Sequence, residues 1–270
     1  MFKTRVLYIS QEMDPYTSLS EMGSFMRNFI LNANKKSFEM RILMPKFGTI
    51  NERRHKLHEV VRLSGMNIII DDDDFPLIIK VASLPESRIQ VYFLDNEEFF
   101  KRKFIFKDEE GNPFEDNDNR MIFFCKGGME TVKKFGWPPD IIHASGWMSS
   151  LIPLFLRKVY NDDPVYQHSK IIYTPFVSQG GDILSDNFND KVLINDMVED
   201  DLSNYFDESG NIDLDLGAML NSDGVILPVE EGMEKNIEFL EKNNVPYYIH
   251  KSEDVKYTGD MEFYQKIKEG

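Results

Sequence analysis

The sequence is poor in the residues that several classes of protein require. Its 270 residues include one cysteine, Cys125, so neither an internal disulfide nor a zinc site built from cysteines is available. No apolar run approaches the length of a membrane span. Lysine and arginine total 31 against 46 aspartates and glutamates, and this net charge of −15 argues against binding to nucleic acid. We therefore expect a soluble, cytoplasmic protein with no nucleic-acid or membrane partner, and we assign it no cofactor.

What the sequence does contain is short apolar runs, rich in β-branched and aromatic residues, that alternate with longer helical patterns. This alternation is typical of a mainly parallel sheet with helices on both faces, and it predicts a Rossmann-like, doubly wound α/β fold. The predicted strands are residues 6–9, 40–44, 77–82, 90–94, 141–143, 170–173, 225–227 and 247–249. The predicted helices are about residues 22–33, 120–135, 148–160, 214–221 and 230–243.

Four consecutive aspartates, Asp71–Asp74, lie between the apolar runs 68–70 and 77–79 as a turn lies between two strands. Consecutive carboxylates point in different directions, which favours a solvated turn over a calcium site. Cys125 falls within an apolar helical pattern and is predicted to be a buried thiol.

Residues 137–147, with Asp140–Ala144 and Trp147, and residues 6–16, with Glu12, form two segments that resemble the ADP-glucose-dependent glycogen and starch synthases. Residues 137–147 follow the family's pattern PDIVHAHDWHTALVP at Asp140–Ala144 and again at Trp147. Residues 6–16 follow the strand and the start of the family's run EVAPFAKTGGLGDV, with Glu12 in register. Weaker matches follow in order, so the resemblance covers about residues 5–232, and residues 233–270 diverge.

The resemblance implies α-glucan synthesis from ADP-glucose by an enzyme with two facing Rossmann-like domains. In that family, the C-terminal domain binds most of the sugar nucleotide. The chain is about half as long as such an enzyme. We therefore interpret residues 1–270 as a single N-terminal, acceptor-side glycosyltransferase domain with its own closing segment at 233–270.

The match fails in the first loop, where Ser18 replaces the family's lysine and Glu21 replaces a glycine, while Gly23 is retained. Glycines and a lysine at a helix N-terminus suit a phosphate group. The spacing of Ser18 and Glu21 instead predicts a capping box, in which each side chain bonds the backbone N–H of the other residue. The loop therefore predicts a self-capped helix that has lost the donor site, with a neutral or cationic ligand as the alternative.

The match fails again after the predicted strand at 141–143. Ser145 and Gly146 replace the family's His-Asp pair, which removes hydrogen bonds to the sugar. His143 lies at the carboxyl end of the strand, where open α/β sheets place their ligand crevice. A histidine at such a position is often only a hydrogen-bonded part of the structure, so both interpretations stay open.

Other residues complete the candidate crevice. Trp147 is interpreted as a packing residue at a helix start, with sugar stacking as the alternative. Gln179 and Gly180 echo the family's Tyr-Gln-Gly segment. Glu12 keeps its family position after the first strand, and its carboxylate is expected either to contact a ligand or to bond loop backbone.

These departures predict a synthase-like protein without transferase activity of its own that acts as a binding or partner module. An α-glucan or a nucleotide sugar is the candidate ligand. The alternatives are a transferase completed in trans by a separate donor-domain chain and a small-molecule sensor that uses the same crevice.

A protein partner or a second copy of the chain is expected at the crevice face, because exposed apolar patches mark association sites. The competing interpretation is that local side chains, or the segment after Pro246, cover this face. The apolar residues on which the expectation rests are Met13, Tyr16, Leu19, Trp147, Met148, Phe176 and Val177.

Overall fold

The computed structural model describes residues 3–176, 184–229 and 231–270. The strands in these residues are β1 (Thr4–Ser10), β2 (Phe38–Pro45), β3 (His58–Glu59), β4 (Met66–Ile70), β5 (Asp73–Ser83), β6 (Gln90–Asp95), β7 (Ile141–Ser145), β8 (Lys170–Thr174), β9 (Gly224–Leu227) and β10 (Tyr247–Ile249). The helices are α1 (Glu21–Asn34), α2 (Glu52–His55), α3 (Glu97–Phe100), α4 (Asn117–Lys133), α5 (Ile152–Lys158), α6 (Phe188–Val192), α7 (Leu214–Leu220), α8 (Glu234–Lys242) and α9 (Thr258–Glu269). Short 3-10 helices cover Trp147–Ser149 and Glu199–Tyr205.

The strands form one sheet in the order β10-β9-β8-β7-β1-β2-β6-β5-β3, and β4 pairs with β5. From β10 to β6 all neighbours are parallel, whereas β5 is antiparallel to β6 and carries β3 and β4 antiparallel to itself. The predicted doubly wound, mainly parallel α/β fold is confirmed. Strand order reverses at β1, which lies between β7 and β2, and ligand crevices of such sheets lie at this reversal.

Helices cover both faces of the sheet. On β2, Phe38 packs edge to face with Tyr264 of α9, with ring centroids 5.7 Å apart. Leu43, five residues along the strand and therefore on the opposite face, approaches Gly128 of α4. Burial on both faces explains why β1 and β7 are apolar almost throughout, without the alternation of a half-exposed strand.

The predicted strands all lie within observed strands, and two predicted helices differ in extent. Residues 148–160 do not form one helix, because Pro153 has no N–H to continue the ladder from Trp147–Ser149, and α5 starts afresh around it. The predicted helix at 230–243 begins only at Glu234, after Gly232 adopts φ +81°. The predicted hairpin is confirmed: β4 and β5 pair up to Ile70 and Asp73, with Asp71 at φ 56° in the turn.

The C-terminal segment belongs to the same sheet. β10 extends the sheet beside β9, and α9 returns across the face that also carries α1, where the Tyr264 ring lies 5.2 Å from that of Phe29. Cys125 is fully buried, as predicted, and burial raises the pKa of its thiol. Among the described helices, none is both long enough and apolar enough to cross a membrane.

Candidate functional site

The candidate site lies where β1 and β7 end side by side. Ser10 and Ser145, the last residues of these two strands, are register partners. The loop after β1 leads through Gln11 and Glu12 to α1, and the turn after β7 leads through Gly146 to the 3-10 helix at Trp147–Ser149. We call the space between these two connections the crevice.

Glu12 is buried, and its carboxylate is bonded to the loop that precedes α1. One oxygen accepts hydrogen bonds from the backbone N–H groups of Leu19 and Ser20 at 2.6 and 2.9 Å, and the other accepts from the Ser20 hydroxyl at 2.5 Å. Of the two interpretations of Glu12, the structure shows the bonding to loop backbone. The carboxylate therefore satisfies the backbone N–H groups of Leu19 and Ser20.

The capping box predicted at Ser18 and Glu21 is wrong. Ser20 is the N-cap of α1, and its hydroxyl accepts from the N–H of Met22 at 3.1 Å. Ser18 instead donates its hydroxyl hydrogen to the carboxylate of Asp14, and Glu21 is exposed in the first helical turn. The cap falls two residues later than predicted because Asp14 engages Ser18 and Glu12 fixes Ser20.

Gly23 has a steric role in this loop. A Cβ atom at this position would lie 3.2 Å from both the Asp14 carboxylate and the Thr17 carbonyl oxygen. The Asp14 N–H also donates to the Gly23 carbonyl oxygen at 3.2 Å. The glycine therefore lets the loop pack closely against the start of α1.

His143 is a buried hydrogen-bonded residue and does not face the crevice cavity. It is 1% exposed, and its Nδ1 and Nε2 atoms lie 2.5 Å from the Tyr264 hydroxyl and 2.7 Å from the Thr174 hydroxyl. Burial lowers the pKa of its imidazole to about 3, so the ring is neutral at physiological pH. Tyr264 was not predicted as a partner, because it lies 121 residues further on in the segment that diverges from the family.

Ser145 and Gly146 shape the turn after β7. Ser145 is fully buried, with its hydroxyl directed at the Met22 sulfur at 3.5 Å. Gly146 adopts φ +77°, and a Cβ atom there would lie 2.9 Å from Oε1 of Gln11. That oxygen accepts from the N–H of Met148 at 3.0 Å, so Gln11 links the two loops of the crevice. Sequence reasoning did not single out Gln11.

Trp147 packs in the interior. It is buried and meets Phe106 edge to face, with ring centroids 5.0 Å apart. The structure therefore places it as a packing residue and not as a platform open to a sugar. Gln179 and Gly180 lie outside the described residues.

A cavity of about 370 Å³ opens in the crevice, and we call it the crevice pocket. Leu19 and Phe104, 40% and 43% exposed, are among its lining residues. The strip 103–108, between α3 and α4, forms one wall and was not predicted. Its only sequence signal is a run of three apolar residues, Phe104–Phe106, between two lysines. The other lining residues are Gln11, Glu12, Ser20, Met22, Thr49 and Phe176.

Most of the apolar face predicted as a partner surface is covered. Met13, Tyr16, Trp147 and Met148 are buried, Phe176 is half-buried, and Val177 lies outside the described residues. Of these residues, Leu19 stays exposed.

Local side chains and the C-terminal segment provide this cover. Tyr16 lies 5.0 Å from the Phe93 ring and donates its hydroxyl hydrogen to the Ser83 carbonyl oxygen. Phe25 of α1 packs on Phe176, and its ring also contacts that of Tyr257 at 5.3 Å. The competing interpretation of a covered face is therefore the one that the geometry supports for these residues.

Within residues 3–176, 184–229 and 231–270, no group of three or more histidine, cysteine or acidic side chains is placed to hold a metal ion. This covers Asp71–Asp74, where two of the aspartates form the turn between β4 and β5. Nor do the residues around the crevice pocket offer a cluster of ligands of this kind.

The sheet and its helices have the architecture of one domain of the GT-B fold of glycosyltransferases. The sequence model of the starch synthase catalytic domain matches residues 5–243. The chain belongs to that family. In fold it is similar to the catalytic domain of starch synthase IV from Arabidopsis thaliana bound to ADP and acarbose, with a TM-score of 0.75 at 18% identity over 92% of this chain and 51% of the other.

The chain is also similar in sequence to curated glycogen synthases, and two of them show how far the similarity extends. The protein from Chlorobium phaeobacteroides is 43% identical over 171 residues, and that from Chlorobaculum tepidum is 40% identical over 171 residues. Each match covers 63% of this chain and 35% of the relative, so the chain matches about a third of the length of these relatives.

Proposed function

We propose that this starch-synthase-type domain binds an α-glucan in the crevice pocket and transfers no glucose on its own. The observation that carries the proposal is the position of Glu12. Its carboxylate satisfies the Leu19 and Ser20 N–H groups, and Ser20 in turn caps α1.

A donor diphosphate at this loop would need free N–H groups and a nearby cation. Here the N–H groups are already bonded to a carboxylate, Ser18 stands where the family has lysine, and Glu21 adds a negative charge at the helix start. A phosphate would have to displace Glu12 and leave that buried carboxylate without its partners, which is costly. The loop therefore opposes donor phosphates.

Ligand binding, in contrast, has a suitable cavity. The pocket combines aromatic and aliphatic walls with the polar groups of Gln11, Ser20 and Thr49. Sugar rings have apolar faces and hydroxyl edges, so such a lining suits them. The Arabidopsis starch synthase IV catalytic domain was solved with ADP and acarbose, which makes these two compounds the first probes to test.

A thermal-shift screen with maltooligosaccharides, acarbose, ADP, ADP-glucose and common metabolites tests the proposal, because a ligand at 100 times its Kd stabilises the folded state by about 2.7 kcal/mol. Phe104→Ala should weaken the shift produced by a pocket ligand. The matched control is Ile69→Ala, which truncates another exposed apolar residue that does not line the pocket. Glucose transfer to a glucan primer by the pure chain, or a screen without any hit, would contradict the proposal.

The second candidate function is that of the acceptor-side half of a glucosyltransferase. A separate chain would supply the donor domain and complete the active site. The identity of 43% to a glycogen synthase over 171 residues favours this function. Under this alternative the crevice is one side of an active site, and Glu12 organises the loop until the donor domain closes over it. The two functions differ in whether adding a donor domain produces transfer.

A further inference from the structure

One wall of the crevice pocket is the strip 103–108, and the hydrogen bonds on Phe106 hold this strip in place. The Phe106 carbonyl oxygen accepts from the Phe114 N–H at 3.0 Å and from Nδ2 of Asn117 at 2.9 Å. Asn117 is the first residue of α4 and is buried. The strip is therefore tied to the start of the longest helix described.

The Asn117 amide must be oriented for this contact, and Arg120 orients it. Nη1 of Arg120 donates to Oδ1 of Asn117 at 2.6 Å. A guanidinium can only donate hydrogen bonds, so the amide oxygen has to face Arg120. The amide NH2 group is then left to face the Phe106 carbonyl oxygen.

Burial of the Arg120 guanidinium carries a large desolvation cost. It is 1% exposed, and its Nε and Nη2 atoms have no hydrogen-bond partner among the described residues. Its guanidinium lies 5.6–5.8 Å from the ring centroids of four phenylalanines: Phe47, Phe100, Phe106 and Phe114. Burial lowers its pKa to about 10, so it is still charged at neutral pH.

No carboxylate forms an ion pair with Arg120 in the part of the chain that the structure describes. The aromatic rings offset part of the desolvation of the charge. Burying a charge without an ion-pair partner is costly, and an apolar side chain of similar volume avoids that cost. A residue that served only the fold would therefore be well replaced by methionine.

We propose that Arg120 is a positioning residue of the crevice pocket: through Asn117 and Phe106 it sets the wall formed by the strip 103–108. Arg120 does not line the pocket and acts only through these contacts. This inference rests on the proposed function only as far as ligand affinity is concerned. The position of the wall can be measured without a ligand.

The test compares Arg120→Met with Asn117→Asp in the full chain. The methionine removes the donor to Oδ1 but fills the aromatic cage. The aspartate keeps an acceptor for Arg120 and removes the donor to the Phe106 carbonyl oxygen. If the contacts act in series, both variants loosen the wall although only one of them removes Arg120.

Two ligand-free measurements report on the wall. The first is amide hydrogen exchange at Phe114, whose N–H bonds Phe106. We expect it to be about five- to tenfold faster in both variants, the equivalent of one lost hydrogen bond. The second is the 19F resonance of fluorotryptophan-labelled Trp147, which packs on Phe106. We expect it to shift while that of Trp137, the other of the two tryptophans, stays in place.

Stability and affinity complete the test. We expect the melting temperature of Arg120→Met to be equal to or above that of the wild type, while its affinity for acarbose or maltoheptaose falls about tenfold. Arg120→Lys, which retains a cationic donor, should restore part of the affinity. In the double variant the effects on exchange should be much less than additive, because both changes break the same series of contacts.

Unchanged exchange at Phe114 and an unmoved Trp147 resonance in both variants would overturn the inference. If the two variants alter the wall but the wild type binds none of the probes, Arg120 remains a positioning residue and the proposed ligands are wrong. The failure of one idea is thus separable from the failure of the other.

Discussion

At the scale of single residues, Glu12 holds the loop before α1 at the crevice. Replacing it by alanine would leave the Leu19 and Ser20 N–H groups without their acceptor in a partly buried loop. We expect Glu12→Ala to lower the free energy of unfolding by about 1–3 kcal/mol, measured by urea denaturation. Glu12→Gln is the matched control of equal size; it retains one acceptor oxygen and should cost less than the alanine. Equal stability of all three proteins would contradict this role of Glu12.

His143 gives a prediction about pH. In the unfolded chain its imidazole titrates near its ordinary pKa of 6.5, and in the folded chain near 3. Between these values the unfolded state binds the extra proton, so His143 makes the folded state less stable as the pH falls, by up to about 1.4 kcal/mol per pH unit. We expect His143→Gln to flatten the slope of unfolding free energy against pH between about pH 4 and pH 6.

The comparison of the two proteins isolates His143 from other titrating groups. Burial raises the pKa of Asp215 to about 7, and a raised carboxyl pKa has the opposite sign: its stabilisation is lost as the pH rises. That contribution is the same in the wild type and in His143→Gln and cancels in the difference. Parallel slopes in the two proteins would show that His143 takes up its proton equally in both states.

Neither residue's role could be predicted in full from the sequence. The strand that precedes Glu12 and the strand that contains His143 are recognisable from the apolar runs, so the elements that carry both residues were predicted. Glu12 lines the crevice pocket, whereas His143 does not. Their partners were not predicted, because Leu19, Ser20 and Tyr264 meet them only through loop closure and the packing of α9. Sequence pattern fixes the position of a side chain along an element and leaves its contacts to tertiary structure.

At the scale of elements, the start of α1 offers a direct comparison. Ser20 caps the helix, whereas the exposed Ser18 bonds the half-buried Asp14 carboxylate. We expect Ser20→Ala to cost about 0.5–2 kcal/mol of stability, and Ser18→Ala to cost clearly less. The measurement is chemical denaturation of the two variants side by side. If Ser18→Ala costs more stability than Ser20→Ala, Ser18 and not Ser20 is the residue that caps the helix.

Elements with a strong apolar pattern were predicted well, and those set by local competition were not. The parallel strands are buried on both faces, so each reads as an apolar run bounded by polar residues. The cap of α1 depended on which of two serines finds a better partner. The two-residue strand β3 is too short for any pattern and was missed.

At the scale of the whole molecule, the covered crevice face changes where an interaction surface is to be sought. With Met13, Tyr16, Trp147 and Met148 buried, substitutions there would test folding and not association. Leu19 and Phe104 remain exposed beside the pocket and are the sites at which to disrupt any contact. A domain that closes over this pocket would bury both.

The split-enzyme alternative predicts that a donor domain restores transfer. The whole 270-residue chain, fused to the C-terminal part of the Chlorobium phaeobacteroides glycogen synthase that lies beyond the matched region, places the two domains at high effective concentration. If the crevice is one side of an active site, the fusion should transfer glucose from ADP-glucose to a glucan primer, whereas the 270-residue chain alone should not. The readout is incorporation of labelled glucose.

The same fusion shows whether the crevice takes part. Leu19→Asp with Phe104→Asp puts charge into the contact and should reduce transfer at least tenfold, or about 1.4 kcal/mol in activation free energy. The matched control is Ile69→Asp with Val255→Asp, at two apolar residues exposed elsewhere on the surface, and it should leave transfer unchanged. A folded fusion that binds glucan and stays inactive would contradict the split enzyme. That result would favour the binding module. The fusion would then contain both domains, and the loop whose N–H groups are bonded to Glu12 would explain the missing transfer.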